Sequence, residues 1–219
     1  MEPFHFRRGF TLVELVVVLA IMVVITGVVL TSQSSFNRTL VLANTAYDIA
    51  LTLRSAETRG LGSRVTSSAS NAGYGVHFET GTSNNMFTLF ADIYPVPSSS
   101  SPCHPKVDPT TPDALPGDCV YEVNQGEWVL DYTLGNGITI SDFCAYTSGW
   151  SCASGGNITS LDIVFARPNA DPFMSVNGSY NSSFLVTKAC ITVTSPQGGS
   201  RFVSVAGTGE ITANASSCP

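Results

Sequence analysis

The chain reads as an α+β protein: a long N-terminal helix packed on a C-terminal antiparallel, β-rich, sandwich-like head with disulfides. Three observations predict this. No proline interrupts residues 10–60, and the first third of that stretch is almost wholly apolar. From Gly73 onward, short aromatic and β-branched runs alternate with clusters of Gly, Pro, Asn and Ser. All six cysteines, Cys103, Cys119, Cys144, Cys152, Cys190 and Cys218, fall in this later part.

Residues 1–9 form a short leader that ends in Arg7-Arg8-Gly9, and Phe10–Leu30 follows as an apolar run whose one charged residue is Glu14. At about 1.5 Å per residue, that run crosses a hydrocarbon core of ~30 Å. The arginines keep the leader side in the cytoplasm and place the rest of the chain outside. No Ala-x-Ala site follows the run, so an ordinary signal peptidase has little to read. A carboxylate inside a membrane span costs roughly 2.5–3.5 kcal/mol at the centre, so Glu14 asks for a partner.

Residues 31–61 continue the helix amphipathically. Phe36, Leu40, Ala43, Tyr47 and Ala50 recur at three- and four-residue steps, and Leu42, Ala46, Ile49 and Leu53 widen the stripe. Gly60-Leu61-Gly62 supplies a stop. The head occupies 62–219. Strands are expected at Tyr74–Phe78, Phe87–Tyr94, Trp128–Leu134, Ile138–Ile140, Leu161–Phe165, Phe184–Val193, Phe202–Val205 and Glu210–Thr212. The proline-rich stretch 95–118 excludes regular structure and reads as a variable surface loop, or else as a contact at the end of an assembly.

Six exported cysteines allow 15 connectivities. Pairing of neighbours, Cys103–Cys119, Cys144–Cys152 and Cys190–Cys218, closes the shortest loops and is the simplest of them. No Cys-x-x-Cys occurs, which argues against zinc, and Asp108, Asp113 and Asp118 lack the tight spacing of a calcium loop. No metal and no cofactor is expected.

The Gly9-Phe10-Thr11-Leu12-Val13-Glu14 run behind a basic pair resembles the class III leader of type IV pilins and type II secretion pseudopilins. The resemblance implies cleavage between Gly9 and Phe10 by a prepilin peptidase, and methylation of the new Phe10 amine. It also implies a partner for Glu14, the positive N-terminus of a neighbouring subunit in a helical filament. Leu53-Arg54-Ser55-Ala56 with the turn Arg59-Gly60, and the run Gly73-Tyr74-Gly75-Val76-His77-Phe78, resemble the GspH/FimT group of minor pilins and pseudopilins. The closing pattern from Ala189 to Val205 and on to Gly209-Glu210-Ile211 is similar to the hairpin that ends their heads. The implied product is a single-pass inner-membrane (cytoplasmic-membrane) precursor with its head outside, later a subunit of a pilus or periplasmic pseudopilus, with a place at its tip as one option.

Two other classes compete. A membrane-anchored binding or adhesion module would share the strands and disulfides but keep Met1–Gly9 or be cut elsewhere. An anchored enzyme would need a clustered catalytic set, whereas His5 lies in the leader, His77 in an expected strand and His104 in the proline-rich loop. His77 reads as an ordinary strand residue, and no enzymatic activity is expected. The chain carries a formal charge of −6, and residues 202–219 contain no Lys or Arg. DNA is therefore not an expected partner, although some FimT-like pilins bind it through a basic tail. The Asn-x-Ser/Thr sequons at Asn37, Asn157, Asn177, Asn181 and Asn214 follow from an Asn-, Ser- and Thr-rich composition.

Overall fold

The computed structural model describes residues 10–62, 72–81, 84–94, 116–167, 170–181, 185–215 and 217–218, without the side chains of 31–38 and of Asn214. The chain divides into two units, Met1–Leu40 and Val41–Pro219. One helix, α1 (Leu12–Leu61, 50 residues), runs through the boundary. Ten strands follow: β1 (Gly73–Glu79), β2 (Met86–Asp92), β3 (Trp128–Thr133), β4 (Thr139–Tyr146), β5 (Trp150–Cys152), β6 (Ser160–Phe165), β7 (Phe173–Val176), β8 (Lys188–Thr194), β9 (Ser200–Ala206) and β10 (Ile211–Ala215).

In the first unit, every described side chain from Phe10 to Leu30 is exposed. Leu12–Leu30, 19 residues, is long and apolar enough to cross a membrane. Thr26 returns its hydroxyl to the Met22 carbonyl at 2.7 Å, so a polar group within this stretch is satisfied by its own helix.

In the second unit α1 buries Leu42, Ala46, Ile49, Leu53 and Ala56. Their steps of four and three residues make one stripe of the helix. At roughly 1.5–3 kcal/mol for each fully buried Leu or Ile, this stripe is the main reason the helix holds its place here. The stripe corrects part of the sequence expectation. Leu40 and Tyr47 are exposed, at 44% and 56%, and the row through Leu42 and Ala46 forms the seam. Both rows satisfy helical spacing, so periodicity alone does not choose between them; the facing strand residues do.

The strands make two five-stranded sheets, β3-β2-β1-β6-β7 and β10-β9-β8-β4-β5. Every pairing is antiparallel. Inward residues of both sheets share one core with the helix stripe, including Val76 and Phe78 of β1, Leu89 of β2, Phe143 of β4, Ile163 of β6, Ile191 of β8 and Val205 of β9. The expected strands are present with shifted ends, but β4 extends to Tyr146 and the run from Leu185 becomes strand only at Lys188. β5 and β7 were not expected. They are three and four residues long, too short for a period-2 pattern to register. The Asn177-Gly178 pair after β7, with φ of 55° and 67°, is the turn signal that marks it.

β1 is buried from Gly73 through Phe78, on both faces. Its outer face is covered because the chain from Pro116 to Glu127 crosses it. Phe90, Val164 and Cys119 form a small second core there with Tyr121, Phe173 and Tyr180. Gly75 makes room for it: a Cβ would stand 2.7 Å from the Phe90 ring and 2.8 Å from Val164. Pro116, Gly117, Cys119 and Val120 are buried, so the end of the expected surface loop is an interior segment. Residues 95–115, with Cys103, Asp108 and Asp113, lie outside the described residues.

Candidate functional site

Two places carry chemistry, the helix start and the outer face of the first sheet. At the helix start, Glu14 N–H donates to the Thr11 hydroxyl at 3.3 Å, and that hydroxyl lies 3.5 Å from Glu14 Oε2. Leu15 N–H closes the first turn on the Thr11 carbonyl at 3.2 Å. Thr11 is thus the N-cap and Glu14 the third helical residue, the Thr-x-x-Glu spacing of a capping box. A sequence reading of Glu14 as a charge in a membrane passes over this local role. The carboxylate also sits at the positive end of the helix dipole, where negative charge is favoured. Phe10 is 80% exposed, while Gly9 lies outside the described residues.

The prokaryotic N-terminal methylation motif matches residues 5–30. The chain carries a type IV pilin-like prepilin signal. The motif implies processing by a prepilin peptidase and assembly with other pilins, and with the apolar helix it fits a membrane-anchored precursor. It favours a structural subunit over an enzyme. No curated protein and no solved structure matches the chain.

On the first sheet, strand register builds a polar row across four strands. His77 of β1 faces Asp162 of β6 on one side and Thr88 of β2 on the other, and Thr88 faces Asp131 of β3. His77 Nδ1 is 2.6 Å from Asp162 Oδ1, and the Thr88 hydroxyl donates to Asp131 at 2.7 Å. Asp162 is fully buried, and its Oδ2 has no hydrogen-bond partner among the described residues. Burial pushes the His77 pKa down, but the hydrogen bond and charge of Asp162, aided by Glu79, outweigh it and leave it raised. Burial raises Asp162, and His77 opposes that shift. Among the described residues, the charged partners of His77 are two carboxylates, and no nucleophile completes a relay with the pair. A groove of about 400 Å³ opens on the row, lined by His77, Glu79, Tyr121, Trp128 and Asp131 among others.

Beside the row, buried carboxylates hold the covering segment. Asp92 accepts the N–H groups of Asp118 and Cys119 at 3.0 and 2.9 Å. Glu127 accepts those of Ile93, Tyr94 and Glu122 at 3.0, 2.9 and 2.9 Å. Gly117, at φ 99°, is required here, because a Cβ would overlap the Asp92 carboxylate. Burial pushes the Asp92 pKa well up, with the Glu127 charge adding and the backbone N–H groups opposing. Burial, then the Glu127 carboxylate, raises Glu122 to about 9. Sequence reasoning missed all three: Glu122 and Glu127 flank a stretch typical of solvated loops, and Asp92 ends an apolar strand with nothing local to mark the amides it accepts.

On the second sheet, Cys144 lies directly opposite Cys152 on β5 and Cys190 on β8. Cys144 with Cys152, and Cys190 with Cys218, are at disulfide distance, with Cα separations of 4.1 and 5.8 Å. Asp142 approaches Cys144 and Cys152 closely enough to evoke a metal cluster, but sulfurs joined to each other offer no thiolate. Asp118, from the calcium-type trio, accepts the Val120 N–H at 3.2 Å and tightens the buried turn. Asn177 uses its side-chain oxygen on Thr159, at 2.6 Å to the N–H, so this sequon asparagine is built into a turn.

Proposed function

We propose that the chain is a minor pilin or pseudopilin of the GspH/FimT kind, cut between Gly9 and Phe10, methylated at Phe10, and assembled through its apolar helix. The observation that carries this is the methylation motif coinciding with a stretch, Phe10 and the start of α1 to Leu30, whose side chains are all exposed. An apolar surface of that extent needs lipid before assembly and neighbouring helices after it. In the filament, Glu14 pairs with the N-terminal amine of the next subunit. Within its own helix, Thr11 holds the first turn and so fixes where that carboxylate starts. The head presents the surface, and a place at the filament tip or in its initiation complex suits a subunit with two elaborated sheet faces.

N-terminal mass spectrometry on sheared surface filaments and on washed membranes tests this. A peptide beginning at N-methyl-Phe10 in sheared filaments supports a pilus subunit. The same peptide restricted to membranes supports a pseudopilus or a rare initiating subunit. An intact leader in both fractions overturns the reading in favour of a single-span anchored binding or adhesion module. Glu14→Ala is expected to leave cleavage intact and abolish incorporation; normal incorporation would remove the charge-pairing mechanism.

A further inference from the structure

We propose that the outer face of the first sheet holds a divalent transition-metal ion, with His77 and Glu79 as its protein ligands and Asp162 as the buried group that orients the imidazole. His77 and Glu79 stand two residues apart on β1 and so share a face. Nε2 of His77 and Oε2 of Glu79 are 3.6 Å apart. That is too long for a charge-assisted hydrogen bond. It is close to the spacing of two donors on one ion, since ligands ~2.0–2.1 Å from a tetrahedral zinc stand roughly 3.4 Å from each other.

The far nitrogen supports the same assignment. Nδ1 is 2.6 Å from Asp162 Oδ1, and Asp162 is fully buried. A carboxylate on that nitrogen fixes the tautomer that leaves the Nε2 lone pair for an ion. Tyr121 packs on the imidazole, with ring centroids 4.9 Å apart, and holds its plane. The groove of about 400 Å³ in front leaves space for waters to complete the coordination, and Asp131 on its wall adds negative potential. Imidazole with carboxylate favours Zn²⁺, Ni²⁺ or Cu²⁺ over the oxygen-seeking Ca²⁺ and Mg²⁺. Two protein ligands make the ion exchangeable rather than a permanent part of the fold.

The test uses the full-length chain in detergent, disulfides intact and metal removed, titrated with Zn²⁺ by calorimetry and with Co²⁺ by visible absorption. One ion per chain is expected. Glu79→Gln should weaken binding by about 10-fold or more, Asp162→Asn by about 10–100-fold, and His77→Gln should abolish it. The Glu79 side chain is 64% exposed, so its variant folds like the parent and its result decides even where the buried variants unfold. No binding by the parent chain overturns the site. So does Zn²⁺ binding that Glu79→Gln leaves unchanged, which would put the ion elsewhere, for example on His5 or His104.

Discussion

The two sheets of the head solve one problem in two ways. Each buries part of its outer face, at Phe90 and Val164 on the first sheet and at Cys144 and Cys190 on the second. The first sheet is covered by a chain segment, Pro116–Glu127, held by carboxylates that accept backbone N–H groups. The second is tied by sulfur, through Cys144 with Cys152 and Cys190 with Cys218. A carboxylate clasp satisfies several donors at once, but it buries ionisable groups and so responds to pH. A disulfide ignores pH and responds to reductant. The difference teaches that the head should be weakened at different places by different solution conditions.

The largest effect is expected from opening the clasp. Asp92→Ala removes a buried acceptor of two N–H groups and leaves both donors unpaired beside a cavity. The cost should be about 3–5 kcal/mol, read as a lower urea midpoint for the full-length chain in detergent. An effect below about 1 kcal/mol would mean that Glu127 and the packing of Phe90, Val164 and Tyr121 hold the segment without Asp92. Breaking the second sheet comes next. Replacing Cys190 and Cys218 by Ser opens a loop with a separation of 28 residues and should cost roughly 2–4 kcal/mol. Replacing Cys144 and Cys152, separated by 8, should cost less. Hydrogen exchange should rise in β8 and β10 for the first pair, with Pro116–Glu127 unchanged.

The clasp also predicts a pH response that the second sheet lacks. Glu122 keeps its proton in the folded head up to about 9, whereas the unfolded chain releases it near its ordinary 4.5. The folded state therefore binds the extra proton throughout that window. Stability falls as pH rises from about 4.5 towards 9, by the linkage relation. Glu122 is only half-buried, so solvent screening reduces the effect to roughly 1–2 kcal/mol. Glu122→Gln should flatten the profile, measured by melting the head at intervals across this range. An unchanged slope would place the titration on another group.

The helix and most strands are legible in the sequence because they repeat one rule over many residues. Leu12–Leu30 declares itself by composition, and β1, β2, β6, β8 and β9 by β-branched and aromatic runs. The clasp is not legible. Glu127 follows Glu122-Val123-Asn124-Gln125-Gly126, a stretch that looks solvated, and its burial is decided by amides at Ile93 and Tyr94 more than 30 residues away. The His77–Asp162 pair is hidden for the same reason, being a register contact across a separation of 85 residues. Of the chemistry at the helix start, the Thr11-x-x-Glu14 spacing can be read directly, whereas the covering of Leu12–Leu30 depends on molecules outside the chain.

The smallest effect sharpens the comparison most. The second sheet has a carboxylate of its own: Asp142 accepts the Ser154 N–H at 2.9 Å and the Ser154 hydroxyl at 2.6 Å, across the hairpin that Cys144 and Cys152 already close. If sulfur carries the constraint there, Asp142→Ala should cost only about 0.5–1 kcal/mol in the oxidised chain, the net worth of an exposed hydrogen bond. In the chain with Cys144 and Cys152 replaced by Ser, the same change should cost more, because nothing else then holds the turn to β4. The two substitutions thus form a double-mutant cycle with a coupling of roughly 0.5 kcal/mol or greater. Strict additivity would mean that Asp142 and the disulfide act on separate parts of the hairpin. The second sheet would then rely on carboxylates as the first does, and the contrast between the two faces would be one of degree.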